Sequence, residues 1–117
     1  MNIKLRRTDR IFSLHIRNRD GWKCVRCKQQ YKPPTKSLQN SHFWGRGREN
    51  TRFDIDNCDA LCFRCHQYWG GDGREEYIAF KKKQLGEKRY KELQIRANIY
   101  KKKDDKLTIL WLKTLKQ

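Results

Sequence analysis

Apolar residues recur at helical intervals at both ends of the chain and lose that rhythm in between. From Thr8 to Arg19, the positions of Ile11, Phe12, Leu14 and Ile16 predict a helix, with Thr8 or Asp9 capping its start and Asp20-Gly21 ending it. Residues 22–69 hold every cysteine, two of the three histidines, both prolines and two of the seven glycines. Their apolar runs are short and bounded by turn residues, which predicts hairpins and loops. After Gly70-Gly71 the sequence turns Lys-rich and helix-forming, opening with Asp72 and Glu75 in capping-box spacing. Three helices are expected there. The first carries Tyr77, Ile78, Phe80 and Leu85; the second, from about Glu87, carries Tyr90, Leu93, Ala97 and Tyr100; the third carries Leu107, Leu110, Trp111 and Leu115. Each stripe reads as core packing.

These elements make one α+β domain over 1–117: an N-terminal helix in 1–21, an irregular core in 22–70 and a basic helical region in 71–117. A chain of 117 residues suits a single domain. Hydrophobic residues make up only 36% of it and charged residues another 36%. Such a thin core calls for a staple.

The cysteines supply one. Cys24-Val-Arg-Cys27 and Cys62-Phe-Arg-Cys65 are two CxxC turns separated by residues 28–61. Each turn aims two thiolates at one point about 2.3 Å from a zinc ion, and two turns complete a tetrahedron. The gap is longer than in a compact zinc ribbon, so folded structure is expected between the knuckles. Cys58 is left over in an apolar-leaning run and reads as a small buried hydrophobe. A closed four-cysteine site is structural and contributes folding free energy directly, so chemistry must be sought elsewhere.

Charge changes the picture again. The chain has 29 Lys plus Arg against 13 Asp plus Glu, a formal net charge of +16. Self-repulsion on that scale points to a polyanionic partner, of which nucleic acid is the natural one. No stretch approaches the roughly 20 apolar residues of a membrane span. Met1 to Arg10 lacks the apolar stretch of a secretory signal, so the expected compartment is a reducing cytoplasm, where paired cysteines bind metal more often than they form disulfides. Arg46, Arg48 and Arg52 stand in and after the segment Gly45-Arg46-Gly47-Arg48, where glycine lets guanidinium groups approach phosphate. Lys81, Lys82 and Lys83 begin a tail with 13 basic and 4 acidic side chains over 81–117. These residues are expected to grip DNA without regard to sequence and to lose that grip as salt rises.

Ser41-His42-Phe43 lies between the knuckles, and the second knuckle belongs to the string Asn57-Cys58-Asp59-Ala60-Leu61-Cys62-Phe63-Arg64-Cys65-His66. The order and spacing of His42, Asn57 and His66 resemble the HNH, or ββα-metal, endonuclease motif over about Trp22 to Trp69. Asp20-Gly21-Trp22-Lys23-Cys24 and the basic tail also resemble small phage-encoded HNH proteins, and more distantly the NinG-type recombination nucleases. The resemblance implies a hairpin carrying His42 and a short helix carrying His66 around a catalytic Mg²⁺ or Mn²⁺ distinct from the zinc. It further implies DNA as substrate and, for a phage-encoded protein, the bacterial host cytoplasm as its location.

In that reading His42 is the general base, neutral at cellular pH by its ordinary pKa near 6.5. Asn57 orients the histidine loop, and His66 binds the metal. Many members place Asp or His immediately before the catalytic histidine as a second metal ligand, whereas this chain has Ser41. A hard cation also wants oxygen ligands, leaving Asp54, Asp56, Glu49, Ser41 through water, or His42 itself as candidates. The same departure keeps two alternatives in view: a nuclease selective for branched recombination intermediates, and a noncatalytic zinc module that only docks on nucleic acid.

Overall fold

The computed structural model describes residues 4–99 and 105–114. Of the expected stripe residues, Tyr100, Leu115 and the side chain of Leu107 lie outside the described residues, as do Lys101 to Lys103. The elements run α1 (Arg7–Arg19), β1 (Leu38–His42), β2 (Cys58–Cys62), α2 (Phe63–Gly70), α3 (Arg74–Ala97) and α4 (Asp105–Thr114), with single 3-10 turns at Glu49–Thr51 and Ile55–Asn57. No helix among the described residues is long and apolar enough to cross a membrane.

α1 forms where its periodicity predicts, but its cap differs. Arg6 is the N-cap, and Asp9, three residues in, accepts from the Arg6 backbone N–H at 2.7 Å. Thr8 is buried instead. Asp9 thus serves both the free N–H groups and the positive end of the helix dipole from inside the first turn. Phe12 and Ile16 are fully buried while Leu14 points to solvent. Asp20 ends the helix, and the chain reverses through Gly21 and Trp22, both at positive φ.

β1 and β2 pair antiparallel, with Leu38 opposite Cys62 and His42 opposite Cys58. A two-stranded ribbon is marginal alone and must be clad. Every residue of β2 is buried, and side chains close its open edge. Arg19 donates to the carbonyls of Ile55 and Cys58 at 2.7 Å each, and the Asp20 carboxylate accepts from Ala60 N–H at 2.8 Å. Cys58 packs with Phe12, Ile16, Phe53 and Leu112 as a small apolar cluster. The larger cluster gathers Leu38, Leu61, Trp69, Tyr77 and Leu93 beside the knuckle cysteines. Trp69 stacks on Tyr77 at 4.4 Å, and Phe43 meets Tyr77 edge-on at 5.0 Å.

α3 departs from expectation at its start. Its N-cap is Gly73, with no side-chain cap, so Asp72 does not head a capping box. A Cβ at Gly73 would lie 2.4 Å from the Tyr68 ring, which excludes any capping side chain there. The expected break before Glu87 is present as a kink at Gly86, whose φ is +81°. Among the described side chains of α4, Leu112 is buried while Leu110 and Trp111 are exposed, so the stripe expected to pack through those two does not form there.

Lys81, expected to meet DNA, is 0% exposed. Its ammonium lies 2.9 Å from the Asp59 carboxylate and donates to the Asp56 carbonyl and to Gln84 Oε1. Asp59 also accepts from the Tyr77 hydroxyl at 2.9 Å and from Gln84 Nε2 at 3.0 Å. This buried network ties α3 to the hairpin. Removing one partner strands a buried charge, so Lys81→Ala should cost about 3–5 kcal/mol in a denaturant melt. Lys81→Met with Asp59→Asn should recover much of it; a single mutant as stable as wild type would contradict the account.

Candidate functional site

The four knuckle sulfurs come together. The Sγ atoms of Cys24, Cys27, Cys62 and Cys65 all lie within 4.8 Å of one another, with Cys27 and Cys62 at 3.9 Å. A tetrahedron with 2.3 Å arms has edges of about 3.8 Å, whereas a disulfide would need about 2.05 Å. The cluster therefore fits a metal such as zinc. Each CxxC turn also directs a backbone N–H at its first sulfur, Cys27 to Cys24 and Cys65 to Cys62, both at 3.5 Å. Burial opposes ionisation of Cys24, but N–H groups of Cys27, Cys62 and Arg26 outweigh it and bring the thiol down to about 7. Arg26 adds a cation 3.4 Å from Cys65 Sγ, held in turn by Glu76 at 2.6 Å.

Because Cys62 ends β2 and caps α2, the cluster fixes the strand against the helix that carries His66. His66 Nδ1 stands 2.6 Å from Gln39 Oε1. An amide oxygen only accepts, so Nδ1 carries the proton and the Nε2 lone pair is left free to bind a metal. Burial, followed by the charge of Arg46, holds the pKa of His66 below its ordinary value.

His42 is the last residue of β1, and its Nε2 lies 3.0 Å from the Arg52 carbonyl. By the same logic Nε2–H donates, and Nδ1 keeps an unshared pair able to take a proton. Burial and then Arg46 push the His42 pKa down to about 4. The neutral ring is therefore the form present near pH 7.

This shift has a consequence for stability. In the unfolded chain the ring regains its ordinary pKa near 6.5, so between pH 6.5 and 4 the unfolded state binds the extra proton and is favoured. The contribution is complete above pH 6.5 and falls by up to about 3 kcal/mol as pH drops to 4. Titrated melts of wild type and His42→Ala should differ in slope over that window. His15 and His66 shift in the same direction, so only part of the slope should vanish. Parallel curves would contradict the buried, neutral ring.

Asn57 is fully buried and clamps the loop after His42. Its Oδ1 accepts from Trp44 N–H at 2.8 Å, and its Nδ2 donates to the carbonyls of Trp44 and Thr51 at 2.9 and 3.0 Å. Its own carbonyl accepts from Phe43 N–H at 2.7 Å. The loop so held bears Arg46, whose charge acts on both imidazoles and whose buried Nε has no hydrogen-bond partner among the described residues.

Other candidates lie elsewhere. Arg52, expected to reach phosphate, is only 6% exposed and donates through Nε to the Asp9 carboxylate at 2.8 Å and through Nη2 to the Lys4 carbonyl. Its role is to pin the loop to α1. Arg48 is exposed, lies over the Trp44 ring at 5.0 Å and donates to Ala97 O and Asn98 at 3.1 Å. Lys82 and Lys83 are exposed on α3. Ser41 is 3% exposed and faces the Tyr77 hydroxyl at 3.3 Å, on the strand face opposite His42.

The carboxylates considered for a second metal ligand are engaged in ion pairs: Glu49 with Arg6 at 2.7 Å, Asp54 with Arg96 at 2.7 Å, and Asp56 with Arg89. Among the described residues, the only cluster of three or more His, Cys or acidic side chains able to share an ion is the four cysteines. Gln39 was not foreseen. Its signal was its place on β1, the strand that also carries His42.

Comparison with protein-family models, with curated proteins and with solved structures finds no match for the chain.

Proposed function

We propose that the chain is a zinc-stapled HNH-type endonuclease that hydrolyses DNA phosphodiester bonds, nicking or cutting the duplex. One observation carries the reading. Two imidazoles each have one ring nitrogen committed to a protein acceptor, which leaves the other with a lone pair, and the loop that Asn57 clamps carries Arg46, a guanidinium whose buried Nε has no partner among the described residues and whose charge lowers the pKa of both rings.

Those are the parts that phosphodiester hydrolysis requires from a protein. His42 Nδ1 takes the proton of the attacking water, while the Arg52 carbonyl steadies the imidazolium that forms. Arg46 binds the non-bridging phosphate oxygens and stabilises their developing charge. Asn57 keeps the His42 and Arg46 ends of the loop in register. His66 Nε2 would hold the Mg²⁺ or Mn²⁺, which when bound polarises the phosphate and supports the leaving oxygen. Because His66 belongs to no cluster of three or more His, Cys or acidic side chains among the described residues, an ion held there would need phosphate and water to complete its ligand set, and its affinity should be weak until DNA is present. The net charge of +16, with Lys82, Lys83, Arg46 and Arg48 available, supports DNA as partner.

That His66 joins no cluster of three or more metal-ligand side chains among the described residues favours one second reading, a noncatalytic zinc-containing module that docks on nucleic acid. Supercoiled plasmid incubated with the protein and Mg²⁺ or Mn²⁺ separates the two. Nicking by wild type and not by His42→Ala, at equal zinc content and equal DNA binding, supports the endonuclease. DNA binding with no cleavage under either ion supports the module.

A further inference from the structure

Beside His66 is an open cleft of about 760 Å³, lined by Gln39, Phe63, Tyr68 and Asp72 among others. Three features mark it as built for a flat, polar-edged ligand. Phe63 heads α2 and is 58% exposed, more than any other Phe, Tyr or Trp among the described residues. Nothing in the fold requires an aromatic residue there, because the ring does not join either core cluster. Burying it on a ligand would remove an apolar surface that folding leaves in water.

Tyr68 forms another part of the wall and is held from two sides. Arg26 lies over its ring at 4.7 Å, and Gly73 leaves the space a Cβ would fill 2.4 Å from the ring edge. Gly73 N–H also donates to the Tyr68 carbonyl at 2.6 Å. A ring so fixed loses little freedom when a ligand packs on it. Finally, Gln39 has its amide oxygen committed to His66, which leaves its NH₂ group as a donor in the cleft, and Asp72 offers an acceptor there.

A stacking face, a fixed aromatic wall, a donor and an acceptor match the chemistry of a nucleobase, whose edge carries both kinds of polar group. We infer that this cleft receives an unpaired nucleobase of the strand whose phosphate lies at His66, making DNA with a single-stranded segment the preferred ligand over a fully paired duplex. The inference rests on the endonuclease reading for the position of the phosphate, and names the substrate class of that site. A paired base cannot reach Phe63, because its faces are covered by its neighbours in the stack. The charge fits as well: Arg64 follows Phe63 and is exposed, and Arg46 lies close enough to lower the pKa of His66.

The test is binding by the full chain with no Mg²⁺ or Mn²⁺ added, so that cleavage plays no part. Three probes are compared: a perfect duplex, the same duplex with a short single-stranded tail containing 2-aminopurine, and that tail with abasic sites in place of its bases. The tailed duplex should bind roughly 10-fold or more tighter than the perfect one, with quenched 2-aminopurine fluorescence, and the abasic tail should lose the gain. Phe63→Ala should abolish both the quenching and the preference while leaving perfect-duplex affinity unchanged, and Phe63→Tyr should retain them. Gly73→Ala, which displaces Tyr68, should weaken the preference.

Equal affinity for base-bearing and abasic tails, or quenching that survives Phe63→Ala, overturns the inference whether or not the protein cleaves. A protein that discriminates among the probes yet never cuts DNA overturns the catalytic reading and leaves the base site standing.

Discussion

Cys62→Ser should abolish cooperative folding, and removal of zinc from the wild-type chain should do the same. Bound zinc contributes about 10–16 kcal/mol of apparent free energy in small zinc-dependent folds, while a whole domain is stable by only about 5–15 kcal/mol. Nothing else in this chain compensates for such a loss. The sheet has two strands, the apolar fraction is 36%, and the positive charge repels itself. Cys62 also stands at the junction of β2 and α2, accepting from the Cys65 N–H, so the substitution unties the strand from the helix as well as weakening the metal site. Cys58→Ala provides the contrast. Cys58 is a buried thiol packed with Phe12 and Phe53, its pKa raised by burial, and its loss should cost about 1 kcal/mol with zinc retained. Metal content by atomic emission, read with circular dichroism melts, checks both. An unchanged melt for Cys62→Ser would remove the zinc staple from the account.

The knuckles were legible because thiolate spacing is local chemistry: two residues between cysteines suffice to aim both sulfurs at one point. α1 and the break at Gly86 were legible because helical periodicity and a glycine able to adopt positive φ are also written within a few residues. What failed depended on partners far along the chain. Nothing near Lys81 distinguishes it from Lys82, yet Asp59, 22 positions earlier, draws it inward at 2.9 Å. Arg52 looks like Arg46 and Arg48 in sequence, but Asp9 on α1 claims its guanidinium. A charge run therefore reports the average exposure of its members, and one buried carboxylate is enough to remove one of them from the surface. The capping error at Asp72 is local instead: the ring of Tyr68, only five positions before Gly73, occupies the space a side chain at Gly73 would need.

The site shows the same division. Asn57 could be read as a residue near the histidine loop, but its grip on Trp44 and Thr51 exists only because the chain from 43 to 57 folds back on itself. Gln39 and the Arg52 carbonyl, which fix the tautomers of the two imidazoles, carry no motif at all. One acts from its place on β1 and the other through a backbone oxygen, which every residue type possesses.

His42→Ala should lower the rate of DNA cleavage by about 10²- to 10⁴-fold, the range a positioned general base supplies. The loss should fall on the chemical step. His42 touches neither the cysteine cluster nor the exposed Lys82 and Lys83, so zinc content and salt-dependent DNA affinity should stay as in wild type. Asn57→Ala should lower the rate too, for a different reason: it frees Trp44 N–H and two carbonyls and lets the loop bearing Arg46 drift. Its signature is a weaker grip on the phosphate and a lowered melting temperature together. The pH profile separates base from bystander. A free imidazole would impose an acid limb near pH 6.5, whereas a ring held near 4 by burial and Arg46 should leave the rate flat down to about pH 5. Single-turnover cleavage measured from pH 4.5 to 8 checks this. Cleavage by His42→Ala at the wild-type rate would dismiss His42 as the base, whatever its geometry.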